Sequence, residues 1–178
     1  IDYKKPASFD VDAQKGFTPL CPEELPVVDG DKIAQALNRQ AKLACVRIGS
    51  KDWHNTKAVW IADKDKPQFT PVDGENVDIR WKAHCIGGTK GAELLDDLPH
   101  PSKYSYFVWK GMEPDMHPYG ACYHDLAGKN STGVIEFLKL KNIDTVIIGG
   151  LATDYCVKRT ALKLKNEGFK VIVNLDSC

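Results

Sequence analysis

The sequence contains no apolar run long enough to cross a bilayer, because a spanning helix needs about 20 consecutive apolar residues. The first residues, Ile1 to Pro6, also lack the apolar region of a secretory signal peptide. These two absences predict a cytoplasmic protein without a membrane partner.

Net charge is absent as well, since 24 lysines and arginines balance 24 aspartates and glutamates. A neutral chain has no general electrostatic attraction to nucleic acid or to an anionic membrane, so neither is an expected partner. The 178 residues contain no internal repeat and no low-complexity tract, and their number suits one domain with a hydrophobic core. We therefore expect a single domain over residues 1–178.

Paired cysteine motifs are the third absence. The six cysteines are scattered without CxxC spacing, and a chain of this size needs no disulfide framework. They are Cys21, Cys45, Cys85, Cys122, Cys156 and Cys178. We expect free thiols, at least one of which is reactive.

Short apolar segments alternate with segments of helical spacing along the chain. The predicted strands cover residues 7–12, 43–48, 104–109, 144–148 and 169–175. The predicted helices cover residues 31–41, residues 89–95, a segment that starts at residue 131 or 132, and residues 154–167. This alternation predicts an α/β three-layer sandwich, with a parallel, doubly wound sheet and helices on both faces.

Several side chains are placed to begin or end these helices. Asp29 or Asp31 is the expected cap of the first helix, and Thr153 or Asp154 that of the last, which Gly168 should end. Residues 55–80 are rich in proline, glycine and aspartate, which predicts an insertion loop or flap. The sequence stops after the last predicted strand, where we would expect a further helix to cover the sheet.

Chemically capable side chains follow the predicted strands. Ligands of parallel sheets bind beyond the carboxyl ends of the strands, so these positions are the ones to inspect. They hold Asp12 after the first strand, Asp52 and His54 after the second, Lys110 after the third and Cys156 after the fourth. Each residue alone has an ordinary structural explanation, but their shared placement predicts one site at this edge.

Three of these residues together have the chemistry of acyl transfer. Cys156 follows two glycines at a strand-to-helix turn, where the first turn of a helix favours a thiolate. Lys110 would stabilise that thiolate, and Asp12 would take the thiol proton and deliver it to the leaving amine. Backbone N–H groups at Ala152 and Cys156 are candidates for an oxyanion hole.

A second group has the chemistry of a metal site. Asp52 and His54 are two residues apart, so in an extended segment both side chains point the same way, and His84 comes from a later loop. Two histidines and a carboxylate suit Zn²⁺, and also Mn²⁺ or Fe²⁺, with positions left for water or a ligand.

The motifs occur in a fixed order over nearly the whole chain. They are Asp12-Ala-Gln-Lys-Gly-Phe17, Asp52-Trp-His54, Trp81-Lys-Ala-His84-Cys-Ile86, Gly88-Thr-Lys-Gly-Ala-Glu93, Lys110-Gly-Met-Glu-Pro-Asp115 and Gly150-Leu-Ala-Thr-Asp-Tyr-Cys-Val157. This set resembles the nicotinamidases of the isochorismatase-like cysteine hydrolase superfamily.

The resemblance implies hydrolysis of nicotinamide, or of an analogue such as pyrazinamide, to the acid and ammonia, as a step of NAD salvage. Cys156 would match the family's catalytic cysteine, which forms a thioester with the substrate. Asp12 and Lys110 would complete the family's catalytic triad. It further implies a cis peptide bond between Leu151 and Ala152, which turns the Ala152 and Cys156 amides toward the oxyanion.

The resemblance also assigns substrate and metal contacts. A divalent metal, usually zinc, would be held by Asp52, His54 and His84 and would bind the ring nitrogen of the substrate. Aromatic residues would sandwich the ring. The expected substrate-binding residues are Phe17, Trp81, Tyr119 and Leu151, and a homo-oligomer is a possible assembly.

The chain departs from the family pattern in two places. Many relatives carry another histidine shortly after the Asp-x-His element, whereas residues 55–60 contain none, so no fourth protein ligand is predicted. Residues 119–123 also differ from the usual pattern, which implies a changed pocket shape. We interpret His117, His124 and Cys85 as surface or packing residues rather than as auxiliary metal or redox groups.

Three alternative functions would use only some of these site residues. A related amidohydrolase for ureido or carbamoyl substrates would share Asp12, Lys110 and Cys156 but generally lacks the metal residues. A two-histidine, one-carboxylate iron oxygenase would leave the cysteine and lysine unused. A binding or thiol-sensing module would hold a ligand without turnover, and an assay for ammonia release separates it from the enzymes.

Overall fold

The computed structural model of the chain describes residues 6–178, in which five parallel strands form one sheet. The strands are β1 (Ala7–Val11), β2 (Val46–Asp52), β3 (Tyr106–Lys110), β4 (Thr145–Gly150) and β5 (Lys170–Val173). The α-helices are α1 (Ala34–Ala41), α2 (Val134–Leu140) and α3 (Lys158–Asn166). The strand order β3-β2-β1-β4-β5 confirms the predicted parallel α/β fold.

Alternating side chains of β1 face different layers. Phe9 is fully buried in the main core cluster, together with Leu138 of α2 and Leu164 of α3. Ser8 points to the other face, where Gln40 of α1 donates a hydrogen bond to its hydroxyl at 3.1 Å. Helices therefore cover both faces of the sheet, as the alternation of elements predicted.

The strands next to β1 extend further toward their carboxyl ends than predicted. β2 runs to Asp52 rather than stopping at Ile48, because it pairs with β3 through the register Asp52 to Lys110. β4 continues to Gly150, which pairs with Val11. Pairing with one neighbour therefore extends each strand beyond its predicted end, β3 for β2 and β1 for β4.

Helix starts differ from the prediction. α1 begins at Ala34 after a separate 3₁₀ turn, and in the described structure neither Asp29 nor Asp31 caps it. The predicted helix 89–95 is a single 3₁₀ turn, Lys90–Ala92. Gly168 does end α3: it adopts a left-handed conformation with φ 92° and donates to the carbonyl of Lys165.

Residues 55–80 contain no α-helix or strand in the described structure, yet the segment is packed. Trp60 is fully buried, and with Val77 it joins a small core cluster that includes Trp81 and Tyr119. This cluster lies beside the carboxyl ends of the strands and forms part of the site described below. Among the described residues, no helix combines the length and apolarity that a membrane span requires.

Candidate active site

The parallel strands bring four chemical groups to one edge of the sheet. Asp12 directly follows β1, Asp52 and Lys110 are the last residues of β2 and β3, and Cys156 follows β4. All four side chains are buried. The structure therefore brings together the residues that the sequence placed at the strand ends.

Lys110 is the centre of this group. Its ammonium lies 3.0 Å from Asp12 Oδ2, forms an ion pair with Asp52 Oδ1 and lies 3.9 Å from Cys156 Sγ. It also donates to the carbonyl of Pro118 at 3.1 Å. Burial lowers the pKa of Lys110, but the two carboxylates raise it, and the resulting pKa is well above its ordinary value. The lysine is therefore charged and does not transfer a proton as an acid at neutral pH.

The Asp12 carboxylate is held in a fixed orientation. Ser50 donates its hydroxyl proton to Oδ1 at 2.7 Å, and the Asp12 amide donates to the Ser50 carbonyl at 3.1 Å. Burial raises the pKa of Asp12, while the charge of Lys110 opposes that rise. Within the described residues Oδ2 accepts no hydrogen bond, although it pairs with Lys110. Oδ2 is thus available to receive a proton.

The environment of Cys156 differs from the one expected. Cys156 lies in a π-helical turn, Thr153–Val157, and α3 begins only at Lys158, so the thiol is not in the first turn of an α-helix. In the structure described, neither Thr153 nor Asp154 caps the turn. Burial raises the pKa of Cys156 well above its ordinary value despite the opposing charge of Lys110. The thiol is neutral at rest and needs a base.

The expected cis bond is present between Leu151 and Ala152. The Ala152 carbonyl accepts hydrogen bonds from the amides of Tyr155 and Val157, each at 3.2 Å. Both Ala152 and Cys156 line the cavity described below. The assignment of their amides to an oxyanion hole stays a prediction.

Histidines lie beside this charged group. The Nδ1 atom of His54 is 2.9 Å from the Gly111 carbonyl, and that of His84 is 2.6 Å from the Lys82 carbonyl. These bonds make Nδ1 the protonated nitrogen in both rings and leave the Nε2 lone pair free. His54 Nε2 is buried without a hydrogen-bond partner among the described residues, and it lies 3.4 Å from Asp52 Oδ2.

His117, which we had interpreted as a surface or packing residue rather than as an auxiliary metal group, lies in this cluster. His54, His84 and His117 each place one ligand atom within 4.8 Å of the other two. Burial lowers the pKa of His84 to about 3 and that of His117 well below its ordinary value, and His54 adds to both effects. Three imidazoles grouped beside a carboxylate fit a divalent metal ion. The sequence did not place His117 beside His54 and His84 because it lies in an irregular loop, where periodicity gives no signal.

A cavity of about 340 Å³ is lined by Cys156, His84 and His117. Its lining includes three of the predicted substrate residues, namely Phe17, Trp81 and Tyr119. The fourth, Leu151, is instead fully buried in a core cluster that also contains Phe17, so its side chain supports the cavity wall from behind. The resemblance had implied a substrate contact for Leu151, whose side chain turns into this core cluster.

The aromatic wall of the cavity is fixed by hydrogen bonds. Trp81 donates its indole proton to the Tyr119 hydroxyl at 3.1 Å, and that hydroxyl donates to Asp78 at 2.7 Å. Tyr155, a lining residue that was not predicted, meets Trp81 edge-on at a ring separation of 5.0 Å. Flat aromatic faces held in this way suit a planar ring.

The parallel α/β fold brings a thiol, a carboxylate and a cation together at the carboxyl edge of the sheet beside an aromatic cavity, an arrangement that suits a hydrolase with a cysteine nucleophile. Residues 7–178 match the isochorismatase domain family. The chain belongs to this family, as its motifs had indicated.

Similar proteins of this family include nicotinamidases and pyrazinamidases. The chain is 32% identical over 171 residues to the nicotinamidase of Acinetobacter baylyi, covering 94% of this chain and 78% of that protein. Its fold matches a nicotinamidase and pyrazinamidase structure from Acinetobacter baumanii with a TM-score of 0.87 at 32% identity, covering 100% and 86% of the two chains. A pyrazinamidase from Pyrococcus horikoshii, solved in complex with zinc, matches with a TM-score of 0.74 at 29% identity, covering 97% and 85%.

Proposed function

We propose that this protein hydrolyses nicotinamide to nicotinate and ammonia, a reaction of NAD salvage. The observation that carries the proposal is the buried group of Asp12, Lys110 and Cys156, which faces an aromatic cavity large enough for a single ring. The nicotinamidases and pyrazinamidases among its relatives support the same substrate class.

The first half of the reaction forms a thioester. Asp12 Oδ2 takes the proton of the Cys156 thiol, and the sulfur attacks the amide carbon of the substrate. The amides of Ala152 and Cys156 stabilise the oxygen that becomes negatively charged. Asp12 then gives its proton to the amide nitrogen, the C–N bond breaks, and ammonia leaves.

The second half returns the enzyme to its starting state. Asp12 removes a proton from a water molecule, whose oxygen attacks the thioester carbon. The C–S bond breaks, Asp12 returns its proton to the Cys156 sulfur, and nicotinic acid leaves and releases the second proton of the water to solvent to become nicotinate. Lys110 keeps its charge throughout and stabilises first the thiolate and then the departing sulfur.

Asp52, His54 and His84 hold the metal ion in this proposal, and zinc is the expected ion because two imidazoles and a carboxylate are ligands that it accepts. Bound there, the metal would supply an electrophilic anchor for the ring nitrogen of the substrate. Phe17, Trp81 and Tyr119 contribute stacking, which orients the amide group toward the thiol.

The decisive experiment measures ammonia release from nicotinamide by the zinc-loaded protein. Cys156→Ala should lose at least about 10⁴-fold in kcat, since it removes the nucleophile of both half-reactions. Cys45→Ala, which changes an exposed cysteine, is the matched control and should keep wild-type activity. A zinc-loaded wild-type protein that released no ammonia would refute the proposal.

A panel of ureido and carbamoyl substrates tests the related amidohydrolase function. These substrates lack the pyridine nitrogen that the metal group would bind, so we expect nicotinamide and pyrazinamide to be preferred. A cytoplasmic location, the absence of nucleic-acid and membrane partners, and a homo-oligomeric state stay predictions from the sequence.

A further inference from the structure

His117 has a buried ring with an unused nitrogen. The residue is 4% exposed, and its Nδ1 atom has no hydrogen-bond partner within residues 6–178. A buried polar atom without a partner is destabilising, so a ring that served only for packing would be more favourable as phenylalanine. The nitrogen therefore suggests that the ring binds something.

Surrounding residues hold the His117 backbone in place. Its amide donates to the Asn76 carbonyl at 2.8 Å, and the Trp60 indole donates to the carbonyl of the preceding residue, Met116, at 3.1 Å. The carbonyl of the following residue, Pro118, accepts from Lys110. The position of His117 is thus tied to residues 55–80 on one side and to the charged group on the other.

The ring is oriented as firmly as the backbone. Its centroid lies 4.3 Å from the Trp60 ring and 5.3 Å from the His54 ring, on which it stacks with an interplanar angle of 27°. Trp60 also contacts the rings of His54 and His84, at 4.6 and 5.2 Å. One buried indole therefore packs against all three imidazoles.

The spacing of the nitrogens suits a shared ion. Ligand atoms of one zinc ion, with bonds of about 2.0–2.1 Å, lie roughly 3.3–4.2 Å apart. Asp52 Oδ2 and His54 Nε2 are 3.4 Å apart, and the ligand atoms of the three histidines lie within 4.8 Å of one another.

We infer that His117 is a further protein ligand of the metal ion held by Asp52, His54 and His84. This inference rests on the metal site of the proposed function. It supplies from the loop after β3 the additional imidazole that residues 55–60 do not contain. A set of three imidazoles and one carboxylate favours Zn²⁺, Co²⁺ or Ni²⁺ over Mn²⁺.

The test compares zinc affinity of metal-free protein, measured by competition with a chromogenic chelator. His117→Phe keeps a ring against Trp60 and removes the nitrogen. Loss of a residue that only supports a metal ligand lowers metal affinity by roughly 10–100-fold, so loss of a ligand itself should lower the zinc affinity of this variant at least as much. His54→Phe tests the site itself and should show a similar or larger loss. His124→Ala, a change in the same loop outside the cluster, should bind zinc like wild type.

A stability measurement separates ligation from packing. The metal-free His117→Phe protein should be at least as resistant to urea as metal-free wild type, and added zinc should raise the wild-type midpoint more than that of the variant. If His54→Phe loses zinc while His117→Phe binds it like wild type, His117 is not a ligand. If His54→Phe also binds zinc normally, the proposed metal site itself is wrong.

Discussion

Two aspartates at the end of β1 offer a comparison within one molecule. Asp10 and Asp12 are both buried, and each pairs with a cation, Asp10 with Arg47 of the neighbouring β2 and Asp12 with Lys110 of β3. Asp10 lies 2.6 Å from an Arg47 guanidinium nitrogen and accepts a hydrogen bond from the Tyr104 hydroxyl at 2.9 Å. Asp12 pairs with Lys110, and its carboxylate also lies within 4.8 Å of the Cys156 sulfur.

Burial raises the pKa of both carboxylates, to about 6 for Asp10, against the opposing charge of their cationic partners. A shifted pKa and a buried ion pair therefore do not tell the two apart. What differs is the surroundings: Arg47 and Tyr104 enclose Asp10, whereas Asp12, Asp52 and Cys156 form one group beside the cavity. A perturbed carboxylate indicates a reaction only where a nucleophile and space for a substrate adjoin it.

The largest expected difference is in catalysis. Asp12→Asn should lower kcat/KM for nicotinamide by roughly 10⁴-fold, at the upper end for a general acid and base, because Asp12 acts in both half-reactions. Asp10→Asn is the matched control and should change kcat/KM by less than about tenfold. Comparable losses in the two variants would remove the distinction between the two carboxylates.

The next difference is in stability. Arg47→Met removes the cation of the Asp10 pair and leaves a buried carboxylate, which should lower the free energy of unfolding by about 3–5 kcal/mol. Because the pair does not face the cavity, kcat/KM of the protein that remains folded should stay close to wild type. Urea denaturation and initial rates check the two parts, and a stable but inactive variant would place Arg47 in the reaction.

The pH dependence of stability tests the direction of the Asp10 shift. With its pKa raised to about 6, folded Asp10 holds a proton that the unfolded chain has released between about pH 4 and pH 6. Wild type should therefore lose stability relative to Asp10→Asn as the pH rises through this window, by up to about 3 kcal/mol, and the difference should be constant above it. If wild type instead gained stability, Arg47 would outweigh burial and the pKa would be depressed.

The smallest effect concerns the metal. Removing the ion should raise KM for nicotinamide about tenfold or more, because the ring would lose its anchor while Asp12, Lys110 and Cys156 stay in place. The urea midpoint difference between wild type and Arg47→Met should not change, since that pair lies away from the histidines. Unchanged KM in protein verified as metal-free would contradict a substrate-orienting metal.

Local pattern was sufficient for the parts of the site that sit on the sheet. Asp12, Lys110 and Cys156 follow apolar segments, and strand ends of a parallel sheet converge whatever the loops do. Boundaries were less predictable: β2 continues through Ser50 to Asp52 because β3 pairs with these residues, a tertiary effect that overrides residue preference. The expected first-turn thiolate also failed, since a π-helical turn and burial govern Cys156.

The sequence by itself determined the parallel sheet and the reactive side chains at the ends of its strands, because both follow from periodicity. It also determined the family, because the family motifs occur in a fixed order. Tertiary structure alone decided the partners of those groups. His117 reaches the histidine cluster because Trp60 and Asn76 hold its loop, and Leu151 turns away from the cavity because it packs in a core cluster with Phe17 and Leu37. Such contacts leave no periodic signal along the chain.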